Sequence, residues 1–446
     1  MWIWITGLLL LGYLGLSRTF AYLGIPPWKV FVGEVTLALF LVWGPRAGRS
    51  SWLNLTLKLP CLHEFWIWYG LFFAYGVFQV LYGFHEGHPP LMAMRDLAFQ
   101  YYPLYFLLGL WAGAKRPALL PQLLRGFAWF NGIYGVLYIL FLSRVQWFLP
   151  GVSDEVSAVP VFGEPLFSFV ALLGLLAYEK ELRRCWYLLL LNGFVMLGMQ
   201  FRTEWLAFAV GVVIWAILSH KGKRVLEVGA VLTLLFALLY ITNFTIPSPL
   251  GRAEADFSAR QLVDRAAAPF RADLSDQSAA AGTTAVDSQE ATFVFRTVWW
   301  LAIWESVHQD VRTSLIGHGY GFALGDLVPY LEGQFIRTPH NAFFYALGYS
   351  GWIGVTLFVL FGWQMFRLLW RSRTVAGEPF GVAVWGAMMV LAMFFPMGET
   401  PYGAIPFYLM TGWAAGPGLL AKRPVQHASD AAWHGYIEGP ANGQKI

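Results

Sequence analysis

Apolar runs long enough to cross a bilayer recur along this chain, most of them separated by short basic turns. A spanning helix needs about 20 apolar residues to cross a hydrocarbon core of about 30 Å. Lipid cannot satisfy an open backbone, so such runs must be helical. Twelve stretches read as spans, at roughly 2–22, 27–45, 63–83, 95–113, 119–142, 160–178, 184–200, 203–219, 225–244, 341–367, 378–397 and 403–421. The expected fold class is therefore an all-α polytopic membrane protein. Composition agrees: 57% of residues are apolar and 13% charged, against about 25% charged in soluble domains. That scarcity excludes a soluble cytosolic enzyme. The net charge of +4 comes from scattered basic residues. With no basic patch or stripe, no nucleic-acid partner is expected.

Lysines and arginines orient the spans. With the N-terminus inside, the inner segments hold 17 basic residues, among them Arg46, Lys115, Arg183, Arg224 and Arg371. The short outer segments hold 5: Arg18, Lys29, Arg95, Arg144 and Arg202. The positive-inside rule selects this topology and places both termini in the cytoplasm. The N-terminus lacks the basic stretch of a cleaved signal peptide, so none is expected. Residues 1–243 then form nine spans, 244–340 a large outer loop, 341–421 three more spans, and 422–446 a cytoplasmic tail. Glu34 falls inside the second span, where a lone carboxylate is costly unless paired or facing a cavity.

The large loop has two characters. Residues 251–291 are rich in Ala, Ser, Asp and Arg, which suits a surface excursion with a short helix near Phe257 to Ala268. From Ala291 to His308 the sequence turns amphipathic and Trp-rich. Phe293, Arg296, Trp300, Ile303 and Val307 share one helical face. Such a helix is expected to lie at the membrane surface, with Arg296 needing an anionic partner. Gly317-His-Gly-Tyr-Gly321 follows; its glycines permit tight turns and a close approach of backbone to ligand. No metal-ligand spacing or carboxylate pair suggests a metal site, and no cofactor is expected.

Three features carry a resemblance. Arg296 with Trp299 and Trp300 is followed by Leu315-Ile-Gly-His-Gly-Tyr-Gly321. Thr338-Pro-His-Asn341 leads to Gly348 and Gly351-Trp-Ile-Gly354. Arg202 stands at an outer helix end with Trp205 just after it. Together they resemble the O-antigen ligase and polymerase superfamily of bacterial membrane glycosyltransferases. Ser314 before the glycine turn and Phe162-Gly-Glu-Pro-Leu166 depart from the family's usual pattern.

The resemblance implies a GT-C-like fold in the bacterial inner membrane, with the active face in the periplasm. It implies a donor glycan on undecaprenyl diphosphate, passed to a hydroxyl of a lipid A–core sugar. A polymerase joining lipid-linked repeat units, a protein-directed transferase of similar design, and a flippase for the lipid-linked glycan are the alternatives. By that resemblance the enzyme is metal-independent and inverting. Arg202, Arg296 and Arg337 are the diphosphate candidates, because the guanidinium fork binds phosphate bidentately and stays charged. His340 is the candidate base, since imidazole titrates near neutrality. His318, Tyr320, Asn341, Glu399 and Arg95 are candidates for acceptor binding or for supporting these groups. Each has a structural alternative. Arg202 could snorkel or pair with Glu204, Arg296 could anchor an interfacial helix, and His340 or Asn341 could cap the next helix.

Overall fold

The computed structural model describes residues 2–25, 30–44, 60–145, 147–149, 159–246, 257–258, 289–329, 338–376 and 378–420. Among these, six helices are long and apolar enough to cross a membrane. They are α1 (Trp2–Ala21), α3 (Pro60–His85), α7 (Leu119–Leu140), α10 (Arg202–Ser219), α11 (Gly222–Ile241) and α14 (Ala342–Ala376). The chain is a multi-pass membrane protein, but the expectation of about twelve transmembrane helices is corrected to these six.

The shortfall has local causes. The expected fourth span is broken into α4 (Pro90–Asp96), α5 (Ala98–Tyr101) and α6 (Leu104–Lys115), with Pro103 between the last two. The sixth begins only at Ser168, after Glu164-Pro165, and leaves an eleven-residue α8 (Ser168–Tyr178). Three further expected spans become α2 (Val32–Trp43), α9 (Trp186–Gly198) and α15 (Phe380–Phe394), all shorter than eighteen residues. The last, α16 (Pro401–Leu420), has twenty residues, but Pro406, Pro417 and its glycines and tyrosines dilute its hydropathy. It is buried along nearly its whole length. A helix covered by protein needs no lipid-facing apolar surface.

Between α11 and α14 lie α12 (Gln289–Val307) and the short α13 (Val311–Ile316). Two antiparallel two-residue ladders complete the elements: β1 (Gly24–Ile25) with β2 (Val30–Phe31), and β3 (Thr245–Ile246) with β4 (Phe257–Ser258). The helix expected near Phe257 to Ala268 starts on β4 and otherwise lies outside the described residues.

α16 sits at the centre, against α1, α6, α14 and α15. Glycines set its closest approach. Gly109 and Gly113 of α6 lie on the backbones of Leu409 and Trp413, and Gly412 and Gly416 of α16 lie on Phe106, Leu110 and Ala114. Each pair is spaced four residues apart, so each helix presents a small-residue stripe. A Cβ at any of these positions would meet main chain, which cannot give way. A second joint is polar. Asn131 Nδ2 donates to Ser168 Oγ at 3.1 Å and Asn192 Oδ1 at 2.9 Å, tying α7, α8 and α9 together inside the bundle.

Glu34 is not mid-span. It stands in the first turn of α2 and accepts from Phe31 N (3.2 Å), Tyr101 OH (3.0 Å) and Tyr102 OH (3.4 Å). Its charge is spread over a helix N-terminus and two phenols.

Gly412→Val should therefore break the central joint, since overpacking typically costs about 1–3 kcal/mol and here the obstacle is backbone. The thermal midpoint in detergent should fall by about 1–3 °C. Gly229→Val in α11, where a Cβ meets nothing within 4 Å, should leave the midpoint unchanged. Equal midpoints for both variants would refute glycine-dependent packing.

Candidate functional site

The site is assembled by α12. Its Trp300 donates from Nε1 to the carbonyl of Pro339 at 2.8 Å and stacks on Phe344, with centroids 5.5 Å apart and planes 8° from parallel. These two contacts hold the Thr338-Pro-His-Asn341 segment on both sides of His340. Asn341 is the N-cap of α14: its Oδ1 accepts from the amides of Phe343 (2.9 Å) and Phe344 (3.1 Å). His340 just before it has φ +55°, a left-handed conformation uncommon outside glycine and asparagine. The cap and the Trp300 bond on either side sustain it.

Arg296 lies one turn before Trp300. Its Nη1 donates to the carbonyl of Phe394 at 2.9 Å, at the C-terminal end of α15. The partially negative helix end suits a guanidinium. No carboxylate pairs with Arg296 among the described residues, and burial lowers its pKa from the ordinary arginine value. The next residue, Phe395, links two elements. Its ring lies nearly parallel to the His340 imidazole (15°, centroids 6.4 Å) and edge-on to Phe201 at 5.6 Å. Phe201 is the N-cap residue of α10, and Arg202 is its first helical residue. The N-terminus of α10 thus joins the same cluster, the end of a helix whose dipole attracts anions.

His340 is half-buried, and its Nδ1 is enclosed with no hydrogen-bond partner among the described residues. Burial first, and the neighbouring Arg296 charge second, push its pKa down to about 3. The imidazole is neutral at physiological pH, with one ring nitrogen free to accept a proton.

The remaining candidates take other places. Glu204, in the first turn of α10, is buried and accepts from Phe169 N at 3.0 Å, so it ties the start of α8 to the start of α10. Gly317, Gly319 and Gly321 all have positive φ. Their turn lies on the Gly351 kink of α14, where His318 N donates to Gly348 O (2.9 Å) and Gly319 N to Tyr349 O (3.0 Å). A Cβ at Gly317 or Gly351 would meet backbone. Here the close approach that glycine permits is to a helix of the same chain. His318 stacks on Phe322 and hydrogen-bonds Ser306 through Nε2 at 2.8 Å. Its pKa is lowered, mainly by burial and secondarily by His88. Tyr320 is fully buried, and its OH accepts from Gln100 Nε2.

Asp96 accepts from Gly321 N (2.8 Å) and Tyr345 OH (3.4 Å). Arg95 lies within electrostatic reach of Tyr22 and Tyr101. Glu399 is buried, and neither carboxylate oxygen has a hydrogen-bond partner among the described residues. Burial, with Asp96 nearby, holds its carboxyl well above the usual carboxylate range. Arg337 lies outside the described residues.

The structure therefore brings together Arg296, His340 and the Arg202 end of α10, through Trp300, Phe394, Phe395 and Phe201. The two phenylalanines 394 and 395 were not singled out in the sequence. Nothing marks them there, because they act through a carbonyl and a ring face. Trp299, Ile303 and Val307 are buried and α12 packs on α14, while Leu301 and Trp304 are exposed. Among the described residues no group of three or more His, Cys, Asp or Glu is placed to hold a metal ion.

No curated protein matches the chain. The O-antigen ligase family model matches residues 187–359, from α9 into α14. Over that part, which contains Arg202, Arg296 and His340, the chain carries an O-antigen ligase family domain.

Proposed function

We propose that the chain is a membrane glycosyltransferase that moves a glycan from a polyprenyl diphosphate to a sugar hydroxyl, with lipid A–core as acceptor, at the periplasmic face. The observation that carries this reading is the pairing of a neutral, acceptor-competent His340 with a desolvated Arg296 that has no carboxylate partner among the described residues. The family domain over residues 187–359 supports it.

The chemistry follows from the charges. The acceptor hydroxyl oxygen attacks the anomeric carbon, and the bond from that carbon to the diphosphate oxygen breaks. The diphosphate leaves with the electron pair, and Arg296 and the α10 N-terminus with Arg202 stabilise the growing negative charge. The hydroxyl proton passes to the neutral imidazole of His340. A single displacement of this kind inverts the anomeric centre. Binding of the donor also tunes the base. Its negative charge offsets Arg296, which otherwise depresses His340, so the imidazole becomes more basic once the donor is in place.

Two predictions follow from these assignments. With the purified protein in nanodiscs and an undecaprenyl-diphosphate glycan, product should form on lipid A–core. His340→Ala should lower kcat by about 10²–10⁴-fold with little change in donor affinity. Arg296→Lys, which keeps the charge but loses the fork, should weaken donor binding by about tenfold or more. Product only on a second lipid-linked repeat unit would make the enzyme a polymerase. Donor movement across vesicles without transfer would replace the enzyme with a flippase.

The second prediction concerns pH. kcat/KM reports the free enzyme, where His340 titrates at about 3, and kcat reports the donor complex. Because the donor raises the His340 pKa, kcat should begin to fall at a higher pH than kcat/KM as the medium is acidified. Coincident acid limbs would remove the proposed coupling between Arg296, donor and base.

A further inference from the structure

The bundle has a second polar face, at the end opposite the site. α10 runs from Arg202 at the site to Ser219, and its 18 residues extend about 27 Å, close to the thickness of a hydrocarbon core. Its far end therefore stands at the other membrane face, the one expected to be cytoplasmic. Two connections meet there: residues 179–185 between α8 and α9, and residues 220–221 between α10 and α11. Arg224, in the first turn of α11, joins them. Its Nη1 donates to Leu176 O at 3.2 Å and its Nη2 to Lys180 O at 3.0 Å, at the C-terminal end of α8. This contact gathers Lys180, Arg183 and Arg184 of one connection with Lys221 and Lys223 of the other.

The partners of these cations show which charges are left over. Arg184 pairs with Glu181 at 2.6 Å, and Glu179 is taken by Arg125 at 3.3 Å. Lys221 lies over the Trp215 ring, 5.8 Å from its centroid. At the same end of the bundle Arg367 pairs with Glu64, and Arg116 and Arg373 stand over Trp4 and Trp370. Lys180, Arg183 and Lys223 differ: all three are exposed, and none has an ion-pair partner among the described residues. Orienting the chain needs basic residues at this face but does not require three uncompensated ones on two joined connections. The level of the patch is marked by aromatic rings. Exposed Trp186, the first residue of α9, and exposed Trp129 lie 6.3 and 5.1 Å from the Tyr187 ring. Such rings settle among lipid headgroups, so the three cations stand where lipid phosphates lie. α11, which carries Lys223, is the least covered of the six long helices. We propose that Lys180, Arg183 and Lys223 bind the phosphate of an anionic phospholipid of the adjacent leaflet, which fastens α11 to α8 and α9. A zwitterionic lipid fits less well, because its ammonium group opposes the same cations.

The test titrates the full chain, delipidated in detergent, with phosphatidylglycerol or phosphatidylcholine of identical acyl chains, and counts bound lipid by native mass spectrometry. Phosphatidylglycerol should bind the more tightly. The triple variant Lys180→Gln, Arg183→Gln, Lys223→Gln should lower its affinity about 100-fold, at about fivefold for each cation, and should leave phosphatidylcholine binding nearly unchanged. A charge-matched control, Lys115→Gln, Arg116→Gln, Arg373→Gln, removes three cations from the same end of the bundle and should keep the affinity for phosphatidylglycerol. Equal binding of the two lipids, or equal loss in both triple variants, would overturn the proposal and leave only the general field of a basic face. Displacement of the lipid by millimolar inorganic phosphate would also overturn it, in favour of a soluble anion. Bound phosphatidylglycerol should slow amide hydrogen exchange in α11 of the native chain and not of the first triple variant; unchanged exchange would overturn the fastening of that helix. The three substituted side chains are exposed, so the unliganded variant should keep the thermal midpoint of the native chain. Binding is read without turnover and stands or falls apart from the transfer chemistry.

Discussion

Close backbone contact made possible by glycine is the constraint on which the rest of the structure depends. Inside a bilayer there is little hydrophobic force between helices, because lipid tails are as apolar as leucine. Association then rests on packing and on hydrogen bonds that hydrocarbon leaves no alternative to satisfy. Gly109 and Gly113 against Gly412 and Gly416 draw α6 onto the buried α16. The same device recurs where Gly317 and Gly351 bring the loop after α13 onto the kink in α14. That second joint holds the chain leaving α12 against the helix that His340 precedes. A glycine turn that resembles a ligand cradle in the sequence is, in the structure, part of the frame that fixes the distance between Arg296 and His340.

How far the fold is legible in the sequence depends on what covers each helix. α1, α3, α7, α10, α11 and α14 are the helices whose length and hydropathy suit a span, and an apolar window suffices to find them. It over-reads segments that are apolar because protein surrounds them. Residues 95–113 form one apolar run, yet Pro103 and the turn near Leu97 divide it into three helices. Residues 160–167 are largely apolar but form no helix ahead of α8. α16 belongs with them: 403–421 reads as a span, yet the helix lacks the hydropathy of one and is covered by protein. Hydropathy reports transfer out of water and does not say whether lipid or protein receives the side chain.

The site divides along a similar line. Arg296 and Trp300 sit four residues apart on α12, and this spacing alone puts them on one face. His340-Asn341 before an apolar run is a recognisable helix start. What the sequence could not show is how these meet. The meeting depends on the Phe394 carbonyl, the Phe395 ring and the Pro339 carbonyl, groups whose role comes from geometry rather than residue type. Asn341 illustrates the difference: its Oδ1 accepts from two amides of α14, so it orients its neighbour His340 by capping.

The electrostatics of Arg296 and His340 suit the proposed chemistry. Arg296 is partly desolvated and bonds to a helix-end carbonyl, a weak partner that a diphosphate can outbid. Burial, and second the Arg296 charge, depress the pKa of His340, so its imidazole is neutral. In the proposed reaction Arg296 would offer its charge to the phosphates and His340 its lone pair to the hydroxyl. Both are fixed by α12, one directly and the other through Trp300. A shift of that helix would therefore move Arg296 and His340 together, and with them both halves of the proposed chemistry.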